Sequence, residues 1–289
     1  MIEICDDTLF STLYEDEAIE RIQKFSRLAG KMGFVPVLGF SGGKDSIVCY
    51  DLCRRAGIDF RAVFNHCFES AETLKFIREQ FPDVEWRREV KQGFFENMRR
   101  NHNCMLPTVE RSYCCEDYKH NRKYIDDASI VGVRRAESAK RAKRNVLETK
   151  NKTSLKKNRK LIGDYFSPSC IASGSLSEIQ LMPIVDWSDE DVWGYIRRHN
   201  LPINPAYKTA RRVGCIICPK ANFTSNYRAL MRWPKLIDCV IKARGGGNKI
   251  GLLPQTAWIT QTTSLIMSVD GLTIRSGASQ INKNNYAKR

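Results

Sequence analysis

Residues 34–46 read Phe-Val-Pro-Val-Leu-Gly-Phe-Ser-Gly-Gly-Lys-Asp-Ser. Phe34–Phe40 is short, apolar and β-branched, the pattern of a strand buried on both faces. Ser41–Ser46 reads as a loop, and Ile47–Ala56 takes up helical spacing with Gly57 just past its end. Glycines between a buried strand and a helix bring backbone N–H groups close to an anion, and the helix start adds partial positive charge. Lys44 adds a formal one. The loop is not a Walker A loop, whose first glycine stands further from its Gly-Lys pair.

The same rhythm continues outward. Glu15–Met32 has apolar residues at helical spacing (Ala18, Ile19, Ile22, Phe25, Leu28). Phe60–Asn65 is a strand candidate, Ser70–Phe81 a helix stopped by Pro82, and Val84–Val90 a third strand. Ala128–Val133 is a further small strand, and Gln180–Ile184 rejoins the core. Ser188 and Asp191 stand at capping-box spacing before a helix. Strand, helix, strand in this order predicts an α/β protein built on a parallel sheet with helices on both faces. Residues 138–170 are Lys-, Asn- and Ser-rich without periodicity and read as an exposed excursion. Tyr227–Arg244 reads as one helix, broken by Gly245-Gly-Gly247 before a polar tail. The expected organisation is a nucleotide-binding domain over 1–222, with its basic insertion, and a basic C-terminal extension over 223–289.

Composition narrows the class. In 289 residues, 42% apolar, there is enough material for a sizeable core. No apolar run approaches the roughly 18 residues of a membrane span. The acidic start, Met-Ile-Glu-Ile-Cys-Asp-Asp, lacks a secretory pattern, so the expected location is cytoplasmic. Net charge is +15 (47 − 32) and it is clustered. Arg134–Lys160 holds 12 basic and 2 acidic residues, and Arg211–Arg289 holds 13 and 2. The remainder holds 22 and 28, so a mildly acidic body carries two basic regions. Clustered Lys and Arg supply sequence-independent affinity for a nucleic-acid backbone. A solvated loop and a basic tail would give the same counts.

Arg134 and Arg135 follow a strand, at the sheet end where open α/β folds bind ligands, and guanidinium suits oxyanions. Eleven cysteines in a chain without an export pattern point to metal or sulfur chemistry rather than disulfides. Two groups stand out, Cys114-Cys115 and Cys215-Ile-Ile-Cys218, separated by 100 positions (215 − 115). Four thiolates suit a 4Fe-4S cluster, and they suit zinc equally. Arg111, Lys119, Arg211 and Arg212 stand near in sequence to offset a cluster's negative charge. Cys49 and Cys53, at i and i+4 of an apolar helix, read as core packing.

The glycine loop resembles the PP-loop of the adenine nucleotide α-hydrolase superfamily, the ATP pyrophosphatases. Gly132-Val-Arg-Arg-Ala-Glu-Ser138, Met182-Pro-Ile-Val-Asp-Trp-Ser-Asp-Glu-Asp-Val-Trp193 and Leu201-Pro-Ile-Asn-Pro-Ala-Tyr207 resemble segments of its phosphoadenosine-phosphosulfate (PAPS) reductase branch, in family order. The CC…CxxC arrangement is similar to the cluster ligands of iron–sulfur adenylylsulfate reductases.

The resemblance implies a Rossmann-like fold. It makes Ser41, Gly42, Gly43, Lys44, Asp45 and Ser46 the nucleotide loop, with Lys44, Asp45, Arg134 and Arg135 as catalytic candidates. Cys114, Cys115, Cys215 and Cys218 would hold a 4Fe-4S cluster. Reductases of the branch act through a cysteine in a C-terminal Glu-Cys-Gly-Leu-His segment, and no cysteine follows Cys239 here. The implied activity is cleavage of ATP, with Mg²⁺, to AMP and pyrophosphate, activating an acceptor for sulfur transfer. Branch relatives do this in DNA phosphorothioation, and more distant ones thiolate tRNA, so a nucleic acid is the implied partner, DNA favoured over tRNA. A sulfur donor such as a cysteine desulfurase is implied as well. The alternatives are a PAPS or adenylylsulfate reductase and a non-catalytic nucleic-acid-binding module. The sequence leaves the oligomeric state open.

Overall fold

The computed structural model describes residues 7–88, 90–119, 128–149, 152–173, 179–221 and 223–243. Its frame is a seven-stranded sheet. The strands are β1 (Val37–Phe40), β2 (Arg61–Asn65), β3 (Glu85–Arg87), β4 (Ala128–Ile130), β5 (Leu147–Thr149), β6 (Ile171–Ser173) and β7 (Ile179–Leu181), in the order β3-β2-β1-β4-β7-β5-β6. All neighbours are parallel except β5 and β7, so the sheet is mixed but mostly parallel and Rossmann-like.

The helices agree with the sequence spacing in most places. Helix α1 (Asp7–Lys31) sets Ala18, Ile22, Phe25 and Leu28 on one fully buried face, and begins earlier than its apolar spacing suggests. Burying a side chain such as Phe25 or Leu28 contributes about 1.5–3 kcal/mol. Helix α2 (Lys44–Arg55) begins inside the predicted loop, so Lys44, Asp45 and Ser46 form its first turn and only Ser41–Gly43 is loop. Cys49 and Cys53 on α2 are fully buried, in keeping with core packing. Helix α3 (Ala71–Gln80) is capped by Ser70, whose side chain accepts from the Thr73 N–H. Helix α7 (Asp189–Arg198) carries the expected capping box between Ser188 and Asp191.

Residues 138–170 depart from the sequence expectation. Instead of a structureless excursion they form β5, helix α6 (Lys152–Gly163) and a short turn into β6, which widen the sheet. The exposed basic side chains of α6 conceal a helix whose Ile162 is fully buried. The single helix expected at Tyr227–Arg244 is two, α8 (Phe223–Arg232) and α9 (Lys235–Ala243), divided at Trp233-Pro234 because proline cannot continue a helix. The glycine break and the polar tail lie outside the described residues.

A second, smaller core stands beside the sheet. Phe94 and Met98 of helix α4 (Phe94–Asn101), Tyr113, Cys114 and Tyr118 of helix α5 (Tyr113–Tyr118), and Leu230, Leu236 and Val240 of α8 and α9 are buried together. The chain from β1 runs outward through β2 to β3, then returns to place β4 on the other side of β1. The loops after β1 and β4 therefore diverge at a topological switch point, the place where open α/β sheets bind ligands.

Candidate functional site

The loop Ser41–Gly43 sits at that switch point and is laced to itself. The Ser41 N–H donates to Ser46 Oγ at 3.2 Å, Ser46 Oγ donates to the Gly43 carbonyl at 2.8 Å, and the Gly43 N–H donates to Ser41 Oγ at 3.4 Å. Gly42 has φ +69°, and a Cβ there would come within 2.9 Å of Ile77 Cγ1, so a glycine is required twice over. Gly132, in the loop after β4, is constrained by close approach alone, since its Cβ would lie 2.8 Å from the Asp45 carbonyl oxygen.

Two side chains from Leu201–Tyr207 hold the loop from above. Asn204, fully buried, donates from Nδ2 to the Gly42 carbonyl at 3.0 Å. Tyr207 Oη accepts the Lys44 N–H at 2.9 Å. Burial pushes the Tyr207 phenol up to about 12, so it stays protonated at neutral pH.

Four charges meet at the start of α2. Lys44 and Arg134 are both buried. Asp45 Oδ1 accepts from Lys44 Nζ at 3.0 Å and from Arg134 Nε at 2.6 Å. Asp189 Oδ1 lies 2.9 Å from the same Lys44 Nζ and 2.7 Å from Arg134 Nη2. Burial acts to raise the Asp189 carboxyl, but the bonds from Lys44 and Arg134 outweigh it and hold the group below its ordinary value. Arg135 points elsewhere: it is paired with Asp186 and donates to the Arg144 carbonyl at 2.8 Å. Of the two adjacent arginines, the fold brings only Arg134 to the loop.

The four grouped cysteines gather beside the second core. Cys114 and Cys115 lie on α5 rather than in a loop. Cys114 is pushed up first by its hydrogen bond with Cys115, then by burial and by Cys115, Cys215 and Cys218 close by. Cys218 is raised by burial, then by Cys215 and Cys115. Cys114 and Cys218 thus both feel Cys115 and Cys215. Lys220 Nζ stands 3.9 Å from Cys115 Sγ.

Lys119 stands by the quartet, as its place in the sequence suggests, but spacing gives no reason to expect Cys67 and Glu69 there, and both are present. Glu69 is buried, with Oε1 3.4 Å from Cys215 Sγ and 3.1 Å from Lys119 Nζ, and Oε2 accepting the Cys67 N–H at 2.9 Å. A bridge between Glu69 and Cys215 fixes that register. Among the described residues no three or more His, Cys, Asp or Glu side chains converge on a single-ion position. A structural zinc takes four thiolates, and so does a four-iron four-sulfur cluster. In donor number and chemistry the quartet fits either group.

The two halves of the site lie close together. A Cβ on Gly43 would lie 3.8 Å from Val213 Cβ, two residues before Cys215. The segment that delivers a quartet cysteine therefore passes over the glycine loop.

Residues 35–221 match the model of the phosphoadenosine phosphosulfate reductase domain. The chain belongs to the PAPS reductase family. Its relatives in that family include an adenosine 5'-phosphosulfate reductase of Staphylococcus epidermidis, 26% identical over 208 residues, covering 68% of this chain and 75% of that protein. A sulfate adenylyltransferase subunit 2 of Bacteroides thetaiotaomicron is 26% identical over 194 residues, covering 61% of each. An uncharacterized protein of Methanocaldococcus jannaschii is 29% identical over 217 residues, and the chain spans only 39% of its length. A crystal structure of PAPS reductase from Candida auris, in a phosphate complex, superposes with a TM-score of 0.41 at 14% identity, over 65% of this chain and 83% of that one. PAPS reductase membership fits the mixed sheet and the loop at its switch point. No helix among the described residues is long and apolar enough to cross a membrane.

Proposed function

We propose that this protein is an iron–sulfur PP-loop enzyme that cleaves ATP to AMP and pyrophosphate, activating an acceptor on nucleic acid, DNA before tRNA, for sulfur transfer. The observation that carries the reading is the proximity of two kinds of chemistry. Gly43, in the glycine loop, lies beside Val213 of the segment that carries Cys215 of a four-thiol group. A nucleotide bound at the loop and sulfur bound at the thiols would face each other across a few residues. A relative named for adenylyl transfer and others named for sulfonucleotide reduction support nucleotide and sulfur chemistry on this fold.

In this reading the acceptor oxygen attacks the α-phosphorus of ATP, the bond to pyrophosphate breaks, and the acceptor carries the adenylate. Hydrosulfide, freed when a thiol reduces the donor's persulfide and is itself oxidised to a disulfide, then attacks the activated atom, and AMP leaves carrying the former acceptor oxygen. Lys44 and Arg134 take up the charge developing on the leaving pyrophosphate, from a buried position where such stabilisation is strong. Mg²⁺ enters with the substrate, bridging its phosphates. Gly42 and Gly43 let the backbone approach them, and Asn204 and Tyr207 keep the loop from moving as charge develops. Cys114, Cys115, Cys215 and Cys218 would hold the cluster, which supplies a sulfur- and electron-bearing centre when bound. Lys119 lies beside Glu69 and Cys215 to balance negative charge there. A sulfur donor such as a cysteine desulfurase completes the cycle.

The test is to offer ATP with Mg²⁺, PAPS and adenylylsulfate side by side to anaerobically purified protein, each with duplex DNA as acceptor and sulfide as sulfur source. The expected products are AMP and pyrophosphate in equal amounts from ATP, lost in Lys44→Ala. Sulfite from PAPS or adenylylsulfate with thioredoxin, and no ATP cleavage, would establish the reductase reading in its place. That second reading is favoured by the reductase names of several relatives.

A further inference from the structure

The charges at the phosphate loop cancel. Lys44 and Arg134 contribute two positive charges, Asp45 and Asp189 two negative ones, and one oxygen of each carboxylate touches both cations. An anion site whose cations are already matched is electrically filled before any nucleotide arrives. The two carboxylates are not equivalent. Asp45 adjoins Lys44 in the first turn of α2, and its side chain is only 19% exposed. Asp189 comes in from solvent at the first turn of α7, its side chain 56% exposed, with only its tip inserted between the buried Lys44 and Arg134.

The fold does not need the Asp189 carboxylate where it lies. The start of α7 is capped by other atoms: Ser188 Oγ accepts the Asp191 N–H at 3.1 Å, and Asp191 Oδ2 accepts the Ser188 N–H at 2.7 Å. Asp189 adds nothing to that exchange. Its neighbour Glu190 is exposed and reaches neither cation. Asp189 thus occupies, with an oxygen, the position between an ammonium and a guanidinium that suits a phosphate oxygen.

Resting on the reading of Ser41–Ser46 as a phosphate loop, we infer that Asp189 is a specificity-determining placeholder: an internal carboxylate that a phosphate chain must expel from Lys44 and Arg134 in order to bind. Among the described residues, expulsion leaves Asp45 as the one carboxylate on the two cations, so the loop gains one net positive charge when the ligand arrives. A ligand that binds only the Asp189-out state shows an affinity reduced by the fraction of time the slot is open. Removing the carboxylate therefore tightens binding. If Asp189 instead helped to hold the ligand or its metal, the same change would weaken it.

Isothermal titration calorimetry of the full chain with inorganic pyrophosphate and with ATP, both with Mg²⁺, decides it. Asp189→Asn and Asp189→Ala are each expected to bind pyrophosphate about five- to tenfold tighter than the parent, an order set by a partly exposed ion pair. Glu190→Gln removes the same charge one residue on and should stay within about twofold, because it lies off the two cations. Equal or weaker binding by both Asp189 variants, with unchanged thermal unfolding, overturns the inference. If the folded parent and every variant bind neither pyrophosphate nor ATP, the loop is not a phosphate site, and the reading of function falls together with this one.

Discussion

Asn204 donates from its side-chain amide to the carbonyl of Gly42 at 3.0 Å, across 162 positions of sequence. The same side chain accepts the Ala206 N–H at 3.0 Å through Oδ1, so one buried amide fixes both the glycine loop and the turn that covers it. Asn204→Ala leaves a buried carbonyl and a buried N–H without partners. The expected loss is about 2–3 kcal/mol, from two unsatisfied groups less some relaxation. Urea unfolding measures it, and a loss under half of that would mean water replaces the amide.

Gly132 and Gly163 make a matched pair. A Cβ on Gly132 meets the Asp45 backbone at 2.8 Å, whereas one on Gly163 meets nothing within 4 Å. Gly132→Ala must push the loop after β4 away from α2, an overpacking effect of about 1–3 kcal/mol, and it should weaken ATP binding by moving Arg134. Gly163→Ala, at the end of α6, should be neutral or slightly stabilising. Equal unfolding midpoints for the two variants would contradict the close approach.

Glu15 joins α1 to α2 and α7. Its buried carboxylate accepts from Arg55 at 2.9 Å, Arg198 at 2.5 Å and His199 at 3.0 Å. Burial alone would raise the group, but the bonds from Arg198, Arg55 and His199 hold it below its ordinary value of 4.5. A depressed carboxyl contributes stability that is complete above its unfolded value and disappears as pH falls through the folded one. Glu15→Gln should therefore be less stable by about 1–2 kcal/mol at pH 7, a figure kept modest because its partners are partly exposed. The gap between the two proteins should close as pH falls below 4.5. A gap constant down to about pH 3 would assign the loss to packing instead, since a pair in which only the ionised form matters must fade by that acidity.

Much of the nucleotide half of the site is legible in the sequence. The glycine pair after an apolar run places the loop, and Gly57 and Pro82 place two helix ends, because local backbone rules act there regardless of the rest of the fold. Spacing puts the start of α2 too late, since Lys44 and Asp45 look polar enough for a loop and only the turn of Gly42 shows the helix beginning beneath them. In the sequence Asp189 is visible only as a helix-start residue. Its contact with Lys44 depends on α7 packing near α2, which no spacing records. Glu69 and Cys67 are hidden for the same reason, as the chain leaving β2 reaches Cys215 through tertiary pairing. The β5-α6-β6 extension is obscured by charge: Lys156, Lys157, Arg159 and Lys160 mask the one buried face.

Those four side chains on α6 are exposed, and none is in an ion pair among the described residues. If the acceptor is a nucleic acid, they belong to its footprint. Reversing all four to Glu should lower affinity for duplex DNA and reduce the slope of log affinity against log salt by about 0.9 for each phosphate no longer neutralised. ATP binding, read by calorimetry, should be untouched. An unchanged slope would place the polyanion elsewhere.

A nucleotide at Ser41–Ser46 and a four-thiol iron–sulfur centre sharing one site is the claim on which the proposed chemistry stands. It is tested most directly by titrating a non-hydrolysable ATP analogue into anaerobically purified protein while following the electron paramagnetic resonance spectrum of the reduced cluster. The expected result is a cluster signal that shifts saturably with nucleotide in the parent protein and does not shift in Lys44→Ala. A protein that holds no iron, or a cluster signal unmoved by nucleotide that calorimetry shows to be bound, would contradict it.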